Sequence, residues 1–442
     1  MEARIGFRSL PKPAGRVRRS AGFAILAAGA LLAAAPAEPA LASAIHAQSD
    51  REVAGPQWVR SGDDRAAQHL IGLLQSSDLD GLAPEKFQIN ALKRVVLAAE
   101  DGAPRDVAKA NAMLNAALVS YVTALRQAPS SDWIVNDREA IPAPPSADEL
   151  LNQAQRSPSL EMWLKAMPFM HHSYAELRRA LARAEAVGDG ETADLLRINL
   201  QRLRLLPSGG RYVLVNTAAQ RLYMYEDGEV VDEMRVVVGK VHQPTPMMAA
   251  TIKFTALNPY WQVPSDLAAE RVAPNVLKEG LGYLERNGYV LLSDWGERAQ
   301  PVDPSTVDWE AVAAGRVLVR LRQDPGPGNA MGRMKFMFPN PQGIYLHDTP
   351  NKELLNEEAR LFSGGCVRLE DAQRLAKWLY GRPLEWRGAM TEEPVELAKP
   401  VPVYLIYQTA VPGATGIVFY QDIYGKDRSM LAGSRPNEVA VR

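Results

Sequence analysis

A single cysteine, Cys366, occurs in 442 residues. One thiol cannot close an internal disulfide. Neither charge sign is in excess: 50 Lys and Arg face 51 Asp and Glu, for a formal net charge of −1. Without a basic surplus to displace counterions, the sequence argues against a nucleic-acid partner. Metal-ligand patterns are also missing. His171-His172 has no Cys, Asp or Glu beside it at ligand spacing, and adjacent residues on a helix or strand point apart. That pair reads as surface or packing histidines, His69 as a core-edge residue, and no metal or cofactor is expected. Beyond residue 42 no stretch is long and apolar enough to cross a membrane as a helix.

The one apolar run that does stand out is N-terminal. Arg4, Arg8, Lys12, Arg16, Arg18 and Arg19 precede an uncharged stretch over 21–35, and Ala40-Leu41-Ala42 supplies a small–x–small pattern. Residues 1–42 read as an export signal, with an uncleaved anchor as the alternative. A lone cysteine outside the cytosol is either an intermolecular bridge or a reactive thiol.

About 400 residues follow the signal, enough for two or three domains. Residues 43–63 read as a flexible lead-in. From 64 to 206 the pattern is helical: Val107, Ala110, Leu114, Leu118, Tyr121 and Leu125 recur at three and four. Ser173-x-x-Glu176 reads as a capping box, Gly188 as a helix stop, and 129–147, rich in proline, as a connector. At Gly209-Gly210 the period changes to alternation. Strands are expected over 211–216, 221–225, 229–238 and 250–257, with a hairpin at Glu226-Asp227-Gly228. Segments 316–322, 335–338 and 343–346 are expected to continue the same sheet. The fold class is therefore α+β: an all-α domain over 64–206, then a mostly-β domain over 207–410. Residues 265–325 interrupt the β pattern and read as an inserted lid. Residues 411–442 read as a C-terminal tail with a turn at 413–416, and the last ~15 residues look disordered by composition.

Chemistry concentrates in Tyr345-Leu346-His347-Asp348-Thr349-Pro350 and Leu361-Phe362-Ser363-Gly364-Gly365-Cys366-Val367-Arg368. The first piece reads as a strand ending in histidine, the second as a glycine turn ending in the thiol. A helix is expected directly after, and its N-terminus would lower the thiol pKa. The thiolate would be the nucleophile and His347 its base. Adjacent glycines let the backbone aim N–H groups inward at an oxyanion. Tyr345, two residues before His347, shares its face. Arg368 suits a substrate carboxylate or a structural ion pair. Trp261, in the aromatic loop 258–264, suits either cleft lining or core packing. His347 needs an orienting partner. A backbone carbonyl is preferred over the Asp348 carboxylate, because neighbouring strand residues face opposite ways.

The order His347, then Ser363-Gly364-Gly365-Cys366-Val367-Arg368, resembles the YkuD-type L,D-transpeptidase catalytic domain over roughly 211–408. The phrases Asn258-Pro259-Tyr260-Trp261, Pro325-Gly326-Pro327-Gly328-Asn329, Phe336-Met337-Phe338-Pro339-Asn340 and Leu346-His347-Asp348-Thr349-Pro350 resemble its large Gram-negative YcbB-type subfamily. That resemblance implies a helical scaffold domain, a capping subdomain over 265–325 and a periplasmic location. It also implies acyl transfer between peptidoglycan stem peptides to give 3–3 cross-links. Cys366 would be the nucleophile, His347 the base, and the N–H groups of Gly365 and Cys366 the oxyanion donors. Arg368, Tyr345 and Trp261 would bind substrate, carbapenem-type β-lactams would acylate the thiol, and other cell-wall enzymes would be partners. Gly364 stands where many members have histidine, and no room is seen for a peptidoglycan-binding module. The alternatives are a carboxypeptidase or amidase-type wall hydrolase on the same fold, or a catalytically idle wall-binding protein.

Overall fold

The computed structural model describes residues 55–60, 63–127, 133–296, 298–385 and 391–434. The expected export signal and most of the lead-in lie outside the described residues, and no described helix is long and apolar enough to cross a membrane.

The helical part comprises α1 (Arg65–Gln75), α2 (Ile89–Ala98), α3 (Pro104–Arg126), α4 (Ala147–Arg156), α5 (Leu160–Ala166), α6 (Tyr174–Ala186) and α7 (Gly190–Leu203). α3 starts on proline, where the missing N–H costs nothing. Its three-and-four stripe, Ala110, Leu114, Leu118, Tyr121 and Leu125, is fully buried. A reciprocal capping box does occur, but at Ser146 and Glu149 before α4. At Ser173 it does not form. That residue is already helical, so its hydroxyl cannot reach back over the first turn, and it meets the His172 ring instead. The two histidines are packing residues, as expected, but they sit in a turn rather than on a helix or strand, and their rings lie 4.2 Å apart against Tyr225 instead of pointing apart. The connector before α4 supplies a short strand, β1 (Ile134–Val135).

The second part is a sheet that closes on itself. Its strands are β2 (Tyr212–Asn216), β3 (Arg221–Glu226), β4 (Glu229–Gly239), β5 (Met248–Leu257), β9 (Met334–Met337), β10 (Leu346–His347), β12 (Val367–Leu369) and β13 (Glu393–Ile406). They run in the order β5-β13-β2-β3-β4-β12-β10-β9, and β9 pairs again with β5. β1 and β11 (Leu361–Ser363) add to β5 and β4. The hairpin between β3 and β4 turns on Asp227 and Gly228, both at positive φ (49° and 91°), as the right-handed strand twist demands.

Alternation explains why β2 is buried along its whole length. Val213 and Val215 point into the sheet's interior, with Val236, Ile252, Phe336, Leu346, Val367 and the apolar face of α11 (Ala372–Tyr380). Tyr212 and Leu214 point outward into a cluster continuous with the helical part, together with Tyr404 and Ile406 of β13. The helical and β parts thus share one apolar core and form one compact unit over 53–442.

The segment after 410 is not a loose tail. β14 (Ala410–Gly413) and β15 (Gly416–Phe419) form a hairpin about the expected turn, and α12 (Lys426–Ser434) follows. Asp427 pairs with Arg202 of α7 at 2.6 Å, both buried, and accepts from the Thr409 hydroxyl. Of the last ~15 residues, expected to be disordered, those over 428–434 belong to a helix anchored by that ion pair, and the rest lie outside the described residues.

The insertion is a small domain with its own core. β6 (Trp261–Val263), β7 (Tyr289–Leu292) and β8 (Arg320–Gln323) form a separate sheet in the order β6-β8-β7. Residues 316–322 therefore do not continue the main sheet. β8 pairs with β6 and β7, because Leu321 is needed in the insertion's own apolar cluster. A helix over Ser265–Leu267, a π turn at Ala268–Val272 and Ala273–Glu279 complete it, here called α8, with α9 (Gly282–Arg286) and α10 (Trp309–Ala313).

Candidate active site

Register sets the site. Leu346 pairs with Val367 across the parallel β10–β12 ladder, and both enter the interior core. Their neighbours must point the other way, so Tyr345, His347, Cys366 and Arg368 share the outer face. His347 pairs with Arg368 on one side and with Lys335 of β9 on the other. Three adjacent strands therefore line up Lys335, His347 and Arg368, with Cys366 two residues before the arginine. The Val367 N–H donates to the Tyr345 carbonyl at 2.9 Å, locking the cysteine turn against the histidine strand.

His347 is 2 % exposed. Its Nδ1 lies 2.5 Å from the Asp348 carbonyl oxygen. A carbonyl only accepts, so Nδ1 carries the proton and Nε2 keeps its lone pair. The expected backbone carbonyl thus fixes the tautomer. The Asp348 carboxylate faces away, accepting from Lys352 Nζ at 2.8 Å and from the Arg333 N–H at 3.0 Å. Burial, reinforced by the Arg368 charge, lowers the imidazole to about 3. The ring is neutral at physiological pH, with Nδ1 bearing the proton.

The thiol departs from expectation. β12 and the cap Asp371 separate Cys366 from α11, so the thiol does not sit at the start of that helix. Burial pushes the thiol up, opposed by the Tyr345 backbone N–H and by the charges of Arg368 and Lys335. The resting pair is thiol and neutral imidazole, not thiolate and imidazolium. The residue is only partly exposed, and Sγ lies 3.5 Å from the Gly343 carbonyl.

The turn before it is over-determined. Gly365 has φ +114°, and a Cβ there would come within 2.9 Å of Ile344 Cδ1. Only glycine fits. Its N–H donates to Ser363 Oγ at 3.1 Å, and Ser363 Oγ donates to the Cys366 carbonyl at 2.5 Å. Gly365 N–H is therefore committed inside the turn and is not the expected oxyanion donor. Thr245 braces the turn from beneath. Its hydroxyl donates to the Gly365 carbonyl at 2.7 Å and accepts from the Gly239 N–H at 2.9 Å.

Arg368 has no carboxylate partner, and its Nε is buried without an acceptor among the described residues. Lys335 Nζ lies 4.8 Å from the Tyr345 ring centroid and has no hydrogen-bond acceptor among the described residues. Tyr345 is half-buried under that amine. Trp261 sits on β6, paired with Gln323, and is partly buried against the insertion's core. The insertion does reach the site. A Cβ on Gly364 would touch Leu267 at 3.4 Å, and Arg271 donates to the Phe362 carbonyl at 3.3 Å. Gln243 Nε2 donates to Asp266 at 2.8 Å. Thr245, Gln243, Lys335 and Arg271 carry no local signal in sequence, since each acts across the fold.

Residues 210–403 match the family described as the L,D-transpeptidase catalytic domain, YkuD, and residues 49–181 match the family described as the Scaffold domain. A Haemophilus influenzae protein provisionally named an L,D-transpeptidase is 28 % identical over 387 residues, spanning 85 % of this chain and 76 % of its own. Among solved structures, an L,D-transpeptidase from Mycobacterium smegmatis is 15 % identical with a TM-score of 0.22, over 45 % of this chain and 59 % of that one. A mutant of the Enterococcus faecium L,D-transpeptidase is 13 % identical with a TM-score of 0.19, over 45 % and 50 %. At such scores neither structure bears on the geometry described above.

Proposed function

Since this chain joins a scaffold domain to an L,D-transpeptidase catalytic domain of the YkuD type, we propose that it forms 3–3 cross-links between peptidoglycan stems by cysteine acyl transfer. The observation that carries the reading is the shared outer face of His347 and Cys366, with Nδ1 of the imidazole held by a carbonyl.

In the first half-reaction Cys366 Sγ attacks the carbonyl of the third residue of a donor tetrapeptide. His347 Nε2 takes the thiol proton as the C–S bond forms. The Cys366 N–H stabilises the oxyanion. Collapse breaks the C–N bond, and His347 returns the proton to the departing D-alanine amine. In the second half, an acceptor amine attacks the thioester, forming C–N and breaking C–S. The amine proton passes through His347 back to sulfur. Because the resting thiol is protonated, attack and proton transfer proceed together rather than from a stored thiolate. Exclusion of water favours amine over hydrolysis, and the insertion over the thiol turn suits that role. The N-terminal signal pattern supports an exported, periplasmic enzyme, and the same nucleophile would be acylated by carbapenem-type β-lactams.

The test is product analysis with a donor tetrapeptide and an acceptor stem. The wild-type chain yields a 3–3 dimer and D-alanine, and Cys366→Ala yields neither. Dimer formation by Cys366→Ala would refute the assignment. A chain that yields only tripeptide is a hydrolase.

A further inference from the structure

α4 carries a second pattern beside its buried residues Leu150, Leu151 and Ala154. Glu149, Asn152, Gln153 and Arg156 recur at three and four, so they share one face of the helix. That face borders an open cavity of about 500 Å³, which Trp163 of α5 and Pro168 also line. The cavity lies in the helical part, and neither motif that carries the nucleophile and base contributes to it. Its polar groups are unpaired. The side chains of Asn152, Gln153 and Arg156 have no hydrogen bond or ion pair among the described residues. Glu149 gives Oε2 to the Ser146 N–H and hydroxyl, at 2.8 Å each, and leaves Oε1 open. Trp163 is 7 % exposed, and its indole N–H has no acceptor among the described residues. A buried donor in that state costs stability unless an acceptor arrives.

We infer that this cavity seats a glycan built of N-acetylated sugars, at a binding site remote from the thiol. The lining selects the class. One carboxylate and one guanidinium balance each other, so the cavity complements a neutral ligand rather than an anion or a cation. Sites for apolar small molecules are lined mainly by apolar side chains with a few polar groups, and here that proportion is reversed. An extended peptide would need a sheet edge to pair with, and this cavity is walled by helices and the turn after them. Rings bearing hydroxyl and acetamido groups fit. Asn152 and Gln153 each offer one carbonyl acceptor and two N–H donors, the complement of an acetamido group. Glu149 Oε1 accepts from a hydroxyl, and Arg156 donates to one. A connector links the two sites. Asn136 Nδ2 donates to Gln342 Oε1 at 3.3 Å, and the next residue, Gly343, has its carbonyl 3.5 Å from Cys366 Sγ. From Asn136 to Ser146, the cap of α4, the chain spans at most ~35 Å. A glycan held in the cavity keeps its attached stems near the nucleophile and raises their effective concentration there. The choice of glycan rests on the transferase reading above, whose stems are carried on such a chain.

Calorimetric titration of the full chain with a linear oligomer of N-acetylglucosamine, which carries no stem, reads this site without the thiol. The wild type should bind it, and should bind a β-linked glucose oligomer of equal length about tenfold more weakly. Asn152→Ala and Gln153→Ala should each weaken binding by roughly 3- to 10-fold, and the two combined with Arg156→Ala by roughly 30-fold or more. These side chains bond to nothing else among the described residues, so the variants should fold as the wild type does. Product analysis then compares dimer formation from glycan-borne stems and from free stems, and the ratio of the two rates should fall in the triple variant. No binding of the N-acetylglucosamine oligomer by the wild type overturns the inference, and so does undiminished binding by the triple variant. Equal binding of the glucose oligomer overturns the assignment to acetamido sugars. Dimer formation from free stems without glycan binding removes this site and leaves the transferase reading intact. Glycan binding without dimer formation keeps the site and removes that reading.

Discussion

Reactivity at Cys366 is set by two opposite displacements. Burial holds the thiol above its ordinary value near 9 and the imidazole of His347 down at about 3. Each shift favours the neutral form, so the pair should not show the low-pH plateau of a thiolate–imidazolium site. Alkylation by iodoacetamide should climb about tenfold per pH unit below the thiol pKa. A plateau between pH 6 and 8 would contradict the neutral pair. Arg368 lowers both groups. Arg368→Gln should therefore shift the alkylation profile to higher pH, and an unmoved profile would show that its charge does not reach the sulfur. Gly365→Ala forces φ +114° on a Cβ 2.9 Å from Ile344. It should cost about 1–3 kcal/mol in unfolding free energy and slow acylation. A melting temperature within a degree of wild type would mean that the turn yields.

Elements were legible where periodicity or turn chemistry is local. The stripe on α3, the Asp227-Gly228 hairpin and the glycine turn before Cys366 all announce themselves in the chain. What stayed hidden depends on long-range partners. β8 reads as another strand of the main sheet, and only the pairing of Leu321 with Val263 and Leu291 assigns it to the insertion. The run Glu370-Asp371 before an amphipathic stretch correctly marks a helix start. The three-residue strand between the thiol and that start is too short to read. Thr245 is silent in sequence, yet it joins two segments beneath the nucleophile turn. Thr245→Val leaves a buried carbonyl and a buried N–H unpaired, at about 1–3 kcal/mol each. Acylation should fall with stability, and a variant that melts lower yet acylates normally would limit Thr245 to packing. Because β6 and β8 pair, removal of the insertion should span 261–323 rather than 265–325. It should raise stem hydrolysis relative to cross-linking, whereas an unchanged product ratio would deny it a role in excluding water.

The whole molecule is tied together more tightly than its division into helical and β parts suggests. One apolar cluster runs from α1 through α7 into the outer faces of β2 and β13. The C-terminal helix closes on it through Arg202 and Asp427, whose side chains are 2 % and 3 % exposed. Asp427→Ala strands a buried guanidinium and should cost about 3–5 kcal/mol. Unfolding should stay a single transition, because the parts share a core; two separated transitions would show that the scaffold folds independently. The separate core inside the closed sheet takes Leu346 and Val367 and holds β10 and β12 in register, and the register is what brings sulfur and imidazole to one face. Intact-mass spectrometry of the full chain with a carbapenem tests this most directly. The account predicts one covalent adduct mapping to Cys366, slowed by orders of magnitude in His347→Ala. An unmodified wild-type thiol, or equal acylation without the histidine, would contradict it.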